Sequence, residues 1–362
     1  MLSDYTLAAV SNNTNSSVSP IWLGIISTLL IVIFTMLYSS YYDVAVYTGW
    51  VAFVWMTAVP AQIIFGLHMN FNSPKVLANL PQPLKGGAFC SLTFVLMIVG
   101  GGYLYFVPGG GMAPPGPFLI MATITTIVAV FWLVAAWQCW PFTLISRDPF
   151  KQGLMALVAS FALGHLVYYL SFDFSFMVGS TEYIDALDPK GFFNAWYALA
   201  FSVTTVAAIM LLSLFENWPV TKFSSAQPLL GMAVSIVSLV ISTILFWLAV
   251  FAFEMDPVDY MVRLPVSIIF GVFIVTNMMQ FQLFKNIKQP LRGLYLLLVT
   301  LFLVYTMQLL YRTMATYVVE IPLMEGAPRY EMELWVATAL LSITFPVINL
   351  VSGYLSFWPL KR

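Results

Sequence analysis

The residues best suited to chemistry in this chain are small side chains that recur at one spacing. Ten residues after the prolines of four loops, the sequence has Thr93, Ala159, Ser238 and Thr300. Small hydroxyl groups can narrow a passage without blocking it, and they offer hydrogen-bond donors to an anion. The pattern predicts Thr93, Ser238 and Thr300 as pore lining. Ordinary small-residue helix packing is the alternative.

Phenylalanines follow directly after this level. Phe94, Phe161 and Phe302 lie eleven or twelve residues after their prolines. A ring of apolar side chains can gate a pore by excluding water. We therefore predict Phe302, Phe161 and Phe94 as gate residues. Lipid contact or packing is the alternative, because the chain has 30 phenylalanines.

Basic residues occupy a third repeated position. Lys85, Lys151 and Arg292 each lie two residues after a loop proline. On a ring of helices they would form a cytoplasmic basic collar that raises the local concentration of anions. The alternative is that they only report membrane topology.

Ionisable residues deep in a span usually mark function, and His165 is the clear candidate here. We predict it as pore lining, with hydrogen-bonded packing as the alternative. A haem would need both His68 and His165, but their predicted depths differ by about 15 Å at ~1.5 Å per residue. No nucleophile–base–acid set is recognisable, so we expect no enzyme, no cofactor and no metal site.

Composition indicates what must hold these residues. Of the 362 residues, 61% are hydrophobic and 8% are charged, whereas soluble domains carry about 25% charged residues. The chain therefore belongs in a lipid bilayer, and its net charge of −1 offers no basic surface to nucleic acid. Two cysteines, Cys90 and Cys139, do not make a disulfide framework.

Ten segments are long and apolar enough to cross a membrane as helices. They are residues 21–41, 44–66, 86–106, 117–138, 153–172, 192–214, 229–253, 263–283, 291–313 and 333–356. We predict a polar cytoplasmic tail at 1–19 and one ten-span membrane domain at 20–362. Lys and Arg concentrate in the loops after even-numbered spans, which predicts cytoplasmic termini in an inner or plasma membrane.

The odd-numbered spans begin alike, with a proline followed three or four residues later by a glycine. The pairs are Pro20/Gly24, Pro83/Gly86, Pro149/Gly153, Pro228/Gly231 and Pro290/Gly293. Proline suits the first helical turn, and glycine lets the helix start pack closely against a neighbour. The repeat predicts an all-α fold of five helical hairpins around a quasi-five-fold axis, with odd-numbered helices enclosing a central pore.

Two stretches resemble the tellurite-resistance/dicarboxylate transporter family, which includes the plant slow-type anion channels. "SPKVLANLPQPLKGGAFCS" (Ser73–Ser91) is similar to its second-to-third-helix junction, and "KQPLRGLYLLLVTLF" (Lys288–Phe302) to the start of its pore-lining ninth helix. The resemblance implies ten helices in five hairpins about a quasi-five-fold pore. The family gate is a phenylalanine of the ninth helix, where this chain has Thr300 and, two residues on, Phe302.

Together these patterns predict an anion channel or facilitator that passes a small inorganic anion or carboxylate through a central pore. The alternative is a non-catalytic membrane subunit that docks a larger membrane complex. The acidic loops at 183–190 and 320–333 are its candidate surfaces. Either protein could also form a homo-oligomer.

Overall fold

The chain folds into ten long helices in a computed structural model that describes residues 19–323, 326–327 and 329–360. In the described part these are α1 Pro20–Ser39, α2 Val44–His68, α3 Leu84–Phe106, α4 Pro117–Ala136, α5 Pro149–Ser171, α6 Ala195–Leu214, α7 Leu229–Ala252, α8 Pro257–Met278, α9 Leu291–Val318 and α10 Glu331–Tyr354. All ten are long and apolar enough to span a membrane. The predicted all-α, ten-span architecture is confirmed, whereas residues 1–18 of the predicted tail lie outside the described residues.

Local signals start the odd-numbered helices where the sequence predicts. Pro20 and Pro149 are the first residues of α1 and α5, and the side chains of Ser19 and Asp148 accept hydrogen bonds from N–H groups of the first turn. In α3, α7 and α9 the proline is the N-cap residue. The N–H groups of a first turn have no intrahelical partner, so proline costs the helix nothing there.

The even-numbered helices end in a repeated cap. Two successive residues after each helix have positive φ: Asn70–Phe71, Gln138–Cys139, Glu216–Asn217, Gln280–Phe281 and Ser356–Phe357. The second N–H then reaches back to the end of the helix, as from Cys139 to the Leu133 carbonyl at 2.8 Å. Such left-handed caps satisfy the last carbonyls and turn the chain away from the helix axis.

Burial divides the helices into two sets. Between 61% and 83% of each even-numbered span is buried inside the protein, but only 28% to 39% of each odd-numbered span. The even-numbered helices are therefore the inner set. The prediction that odd-numbered helices enclose the centre is wrong, because they cover the outside of the even-numbered ones.

Contacts join the inner helices in chain order. The pairs α2–α4, α4–α6, α6–α8, α8–α10 and α10–α2 are all in contact. Each outer helix lies against the two inner helices that precede it in cyclic order: α1 against α8 and α10, α3 against α10 and α2, α5 against α2 and α4, α7 against α4 and α6, and α9 against α6 and α8. In addition, α3, α7 and α9 contact the inner helix that follows them in the chain. Each outer helix thus lies against two inner helices that also contact each other.

The glycines of the repeated loops lie at these outer-to-inner contacts. A Cβ atom on Gly24 would lie 2.6 Å from the Met278 carbonyl carbon, and one on Gly153 would lie 2.6 Å from Cγ2 of Ile64. Gly86, Gly231 and Gly293 face Tyr354, Trp137 and Phe215 in the same way. Each glycine therefore meets the end of an inner helix at a distance that leaves no room for a side chain.

Candidate functional site: the axis between the inner helices

A small cavity of about 40 Å³ lies between the five inner helices. It is lined by Met56 and Val59 of α2, Ile124, Ile127, Val128 and Phe131 of α4, Val203 and Val206 of α6, Ile269 of α8, and Leu341 and Phe345 of α10. Every lining side chain is apolar, so a water molecule there would lack the polar partners that hold buried water. We call this space the axial cavity.

Three phenylalanines pack together beside the axial cavity. The ring centroids of Phe273 and Phe345 lie 4.4 Å apart, with an angle of 81° between the ring planes. The ring centroid of Phe131 lies 6.1 Å from that of Phe273 and 6.5 Å from that of Phe345. Each side chain is at most 2% exposed. Edge-to-face packing of this kind is favourable for aromatic rings, and the three rings close the space between α4, α8 and α10. We call them the phenylalanine cluster.

Each member of the phenylalanine cluster lies where the helix geometry changes. Phe131 and Phe273 are the last α-helical residues before π-helical turns at Trp132–Ala136 and Ile274–Met278. Phe345 directly follows the π-helical segment Thr338–Thr344. One residue of an α-helix corresponds to a rotation of about 100°, so exchange of a π turn for an α turn would rotate the side chains on one side of the turn relative to those on the other.

Amide side chains connect three inner helices next to the cluster. Gln62 of α2 donates to the Pro346 carbonyl at 3.3 Å and accepts from Asn349 of α10 at 3.4 Å. Asn277 of α8 donates to Asn349 at 3.2 Å. Asn277 and Asn349 each lie four residues after a phenylalanine of the cluster, and thus on the same helix faces. Each amide nitrogen carries two hydrogens, so the chain of bonds leaves further N–H donors at this level.

Glutamines before three of the loop prolines tie the outer helices to the inner ones. Each accepts a hydrogen bond from the glycine N–H of its own loop and donates to the last carbonyl of an inner helix. The pairs are Gln82 with the Tyr354 carbonyl at 2.7 Å, Gln227 with that of Ala136 at 3.2 Å, and Gln289 with that of Leu214 at 3.1 Å. The glutamine of the repeated "QP" therefore links the start of an outer helix to the end of an inner helix by hydrogen bonds.

The predicted lining hydroxyls are buried, but away from the axial cavity. Thr93 is 5% exposed and shares a hydrogen bond of 2.6 Å with the Tyr354 hydroxyl. Thr300 and Ser238 are 0% exposed, and Thr300 packs against Gly271 of α8. Of the two interpretations, the structure favours helix packing, because all three residues belong to outer helices.

The predicted gate residues also lie outside the axis. Phe94 is 56% exposed and Phe302 is 67% exposed on the outer surface of the bundle. Phe161 packs between outer helices, against Gly100 and the ring of Tyr103. The helices that carry these three residues surround the inner set, and a gate at Phe94, Phe161 and Phe302 stays a prediction from sequence.

His165 belongs to the same outer layer. Its Nδ1 atom lies 2.8 Å from the hydroxyl oxygen of Tyr103, and its ring lies 4.4 Å from that of Tyr169. These partners come from α3 and α5, so His165 is not among the residues that line the axial cavity. The alternative of hydrogen-bonded packing describes its position.

The three predicted collar residues do not share one environment. Lys151 is exposed and Lys85 is half-buried. Arg292 is held in place by the Glu216 carboxylate at 2.8 Å and the Phe281 carbonyl at 2.6 Å, with its guanidinium 4.2 Å from the Phe281 ring centroid. Its charge is therefore paired, and only the two lysines remain available to a passing anion.

A partly buried charged cluster joins the starts of α8 and α10 to the end of α9. Asp259 accepts from Arg263 at 2.6 Å and from Arg312 at 3.1 Å. Glu333 lies 4.0 Å from Arg312 and is 2% exposed. Buried ion pairs of this kind fix the relative position of helices, and the loss of one partner leaves an uncompensated charge.

The loop between α5 and α6 is held by Asp188, which is 8% exposed. Its carboxylate accepts from the backbone N–H groups of Phe174 and Lys190 and from the Tyr183 hydroxyl, at 3.0 to 3.1 Å. The hydrogen bond with the Lys190 ammonium lowers the pKa of Asp185 and raises the pKa of Lys190. Among the acidic residues of the predicted docking surfaces, Asp188 and Glu333 are thus buried inside the protein.

Comparison with protein-family models, with curated proteins and with solved structures finds no match to this chain. No family is assigned. The resemblance to tellurite-resistance/dicarboxylate transporters stays a prediction.

Sequence reasoning missed the phenylalanine cluster, although a signal for the inner helices was present. Prolines inside helices occur at Pro60, Pro265 and Pro346, all in even-numbered spans. A proline frees a carbonyl that lipid cannot satisfy, so it is tolerated where neighbouring protein covers the helix. The mid-span amides Gln62 and Asn349 carry the same information.

Proposed function

We propose that the chain is five repeated helical hairpins arranged about a quasi-five-fold axis, with the even-numbered helices inside. Two observations support this arrangement. The inner-helix contacts close on themselves after α10, and each outer helix lies against the two inner helices that precede it in cyclic order. The loop glycines repeat one relation. When all ten helices are counted cyclically, the glycine of each outer helix meets the end of the inner helix three helices earlier in the chain.

On this arrangement, we propose that the protein is a channel or facilitator for a small anion, with its passage along the axis in a closed state. The observation that carries the proposal is the axial cavity, lined by all five inner helices and closed by the phenylalanine cluster. An apolar constriction blocks ions because water does not wet it. The π turns beside Phe131, Phe273 and Phe345 supply a route by which these rings could leave the axis.

The polar groups near the cluster favour an anion over a cation. Gln62, Asn277 and Asn349 offer amide N–H donors, and no carboxylate lines the axial cavity in the described residues. The lysines of the proposed cytoplasmic face, including Lys85 and Lys151, would raise the local anion concentration. Neutral donors bind an anion weakly enough to let it leave, which conduction requires.

The test is anion flux in proteoliposomes with Phe345→Ala. Phe345 contacts both other rings of the cluster, so its loss should open the constriction. A barrier lower by about 1.4 kcal/mol makes flux about tenfold faster, and chloride and nitrate are the first anions to measure. Phe302→Ala is the matched control, because Phe302 lies on the outer surface and its loss should leave flux unchanged.

Two outcomes would contradict the channel. One is a folded Phe345→Ala protein that passes no chloride, nitrate, sulfite or malate. The other is an equal change of flux in Phe302→Ala, which would indicate that the outer helices line the passage.

A non-catalytic docking subunit is the second candidate, and the small volume of the axial cavity favours it. The axial cavity has a volume of only about 40 Å³ and is lined by apolar side chains alone, as is typical of a packed protein core. Stoichiometric partners that co-purify from native membranes, together with Phe345→Ala protein that carries no flux, would support this role over transport.

A further inference from the structure

A groove of about 350 Å³ opens on the outer surface between α2 and α3, apart from the axis. Phe53, Val54 and Thr57 of α2 form one wall, Met97, Ile98, Gly101 and Gly102 of α3 form the other, and Trp50 and Tyr105 flank one end. No lining residue is charged. We call it the α2–α3 groove.

Two of three consecutive glycines in α3, Gly101 and Gly102, line the groove. Glycine inside a helix costs about 1 kcal/mol relative to alanine. A Cβ on Gly100 would lie 2.5 Å from the Phe161 ring, and one on Gly101 would lie 3.2 Å from Thr57. A Cβ on Gly102 would meet nothing within 4 Å. Gly102 therefore leaves open space in the wall of the groove, beside Gly101.

The groove offers shape and apolar surface, but few polar groups. The Thr57 hydroxyl donates to the Val54 carbonyl at 2.7 Å, and the Tyr105 hydroxyl donates to the Gly111 carbonyl at 2.8 Å. Both hydroxyl donors are thus already used. Sugars, nucleotides and other polar ligands would find little to bind, whereas a hydrocarbon chain needs no partner beyond apolar contact.

The size of the groove matches one leaflet of a bilayer. From Met97 to Tyr105 the helix rises about 12 Å at ~1.5 Å per residue, and half of the hydrocarbon core is about 15 Å thick. Because the groove opens sideways from two membrane-length helices, the hydrocarbon that reaches it is a lipid tail. The aromatic residues Trp50 and Tyr105 lie at the end nearer the headgroups, as in other membrane proteins.

We propose that the α2–α3 groove binds one acyl chain of a phospholipid, which stays with the protein when it leaves the membrane. The occupant would support an inner helix from behind. Thr57 and Phe53 face the groove, while Met56 and Val59 of the same helix face the axial cavity. The proposal does not depend on whether the axis conducts.

The experiment is native mass spectrometry of protein released from phospholipid nanodiscs. A side chain at Gly102 starts in open space, because its Cβ would meet nothing within 4 Å. Gly102→Leu therefore places its side chain in the groove, and the variant should fold normally and lose its bound phospholipid at least tenfold. Gly87→Leu is the matched control, because Gly87 lies in the same helix and a Cβ there also meets nothing within 4 Å. It should keep the lipid as the unchanged protein does, and circular dichroism checks that both variants fold.

Three results would overturn the proposal. The unchanged protein could carry no lipid, or Gly102→Leu could keep as much as Gly87→Leu, which would indicate ordinary contact with surrounding lipid. An adduct with the mass of an isoprenoid instead of a phospholipid would assign the groove to a different ligand.

Discussion

The contact between Gly24 and α8 leads to a quantitative prediction about how outer helices attach to inner ones. In Gly24→Ala the new Cβ would lie 2.6 Å from the Met278 carbonyl carbon and 2.9 Å from the Met279 nitrogen, with the Met278 carbonyl oxygen closer still. All three are backbone atoms, so no side chain can rotate away. To reach an ordinary separation of 3.4 Å or more, α1 must move back by roughly 1 Å, which opens the packing along its length.

The expected cost follows from a matched control. Alanine in place of glycine stabilises an exposed helix position by up to about 1 kcal/mol, and Gly24→Ala and Gly87→Ala both receive this gain. Only Gly24→Ala also forces two helices apart, for which overpacking typically costs about 1–3 kcal/mol. The free energy of unfolding should therefore be about 1–3 kcal/mol lower in Gly24→Ala than in Gly87→Ala.

Equilibrium unfolding of the detergent-solubilised protein in increasing dodecyl sulfate measures this difference directly, with thermal unfolding as a second readout. Equal free energies for the two variants would show that α1 does not press on the end of α8. The assignment of loop glycines as contacts between outer and inner helices would then fail.

Two further predictions concern buried polar groups. Asp259→Asn removes the shared partner of Arg263 and Arg312. Because the Asp259 side chain is 21% exposed and Arg312 keeps the Glu333 carboxylate at 4.0 Å, we expect the free energy of unfolding to fall by about 1–3 kcal/mol. Asp185→Asn, whose partner Lys190 is exposed, should leave the unfolding midpoint unchanged, and equal midpoints for the two variants would contradict a structural role of the cluster. Asn349→Leu removes the amide to which Gln62 and Asn277 are both hydrogen-bonded. Because each of the two then lacks a partner, the free energy of unfolding should fall by about 1–3 kcal/mol. A conservative Asn349→Gln protein should recover part of that loss, and no difference between the two variants would argue against the amide chain.

Much of the helix layout could be read from local sequence, because its causes are local. Runs of about 20 apolar residues need the full backbone pairing of a helix in lipid, and the ten predicted spans are the ten helices observed. The ends were less accurate where a cap decides them. α8 begins at Pro257 instead of residue 263, because the Asp256 side chain accepts from the N–H groups of Val258 and Asp259. The repeated proline and glycine positions were also visible, but not which surface each glycine meets.

What only the tertiary structure decided is that the even-numbered helices are inside and the odd-numbered ones outside. Mean hydropathy runs from 1.7 to 2.5 in the odd-numbered spans and from 1.7 to 2.4 in the even-numbered ones, so composition does not separate them. In water the more apolar face turns inward, but in a bilayer lipid tails are as apolar as leucine and exert no such preference. Which helices lie inside is determined by shape and by a few polar contacts. These are the close packing of the loop glycines against inner helices, the hydrogen bonds of the loop glutamines, and the hydrogen-bonded amides from Gln62 to Asn277. These join residues more than 60 positions apart, and a reading along the chain does not pair them.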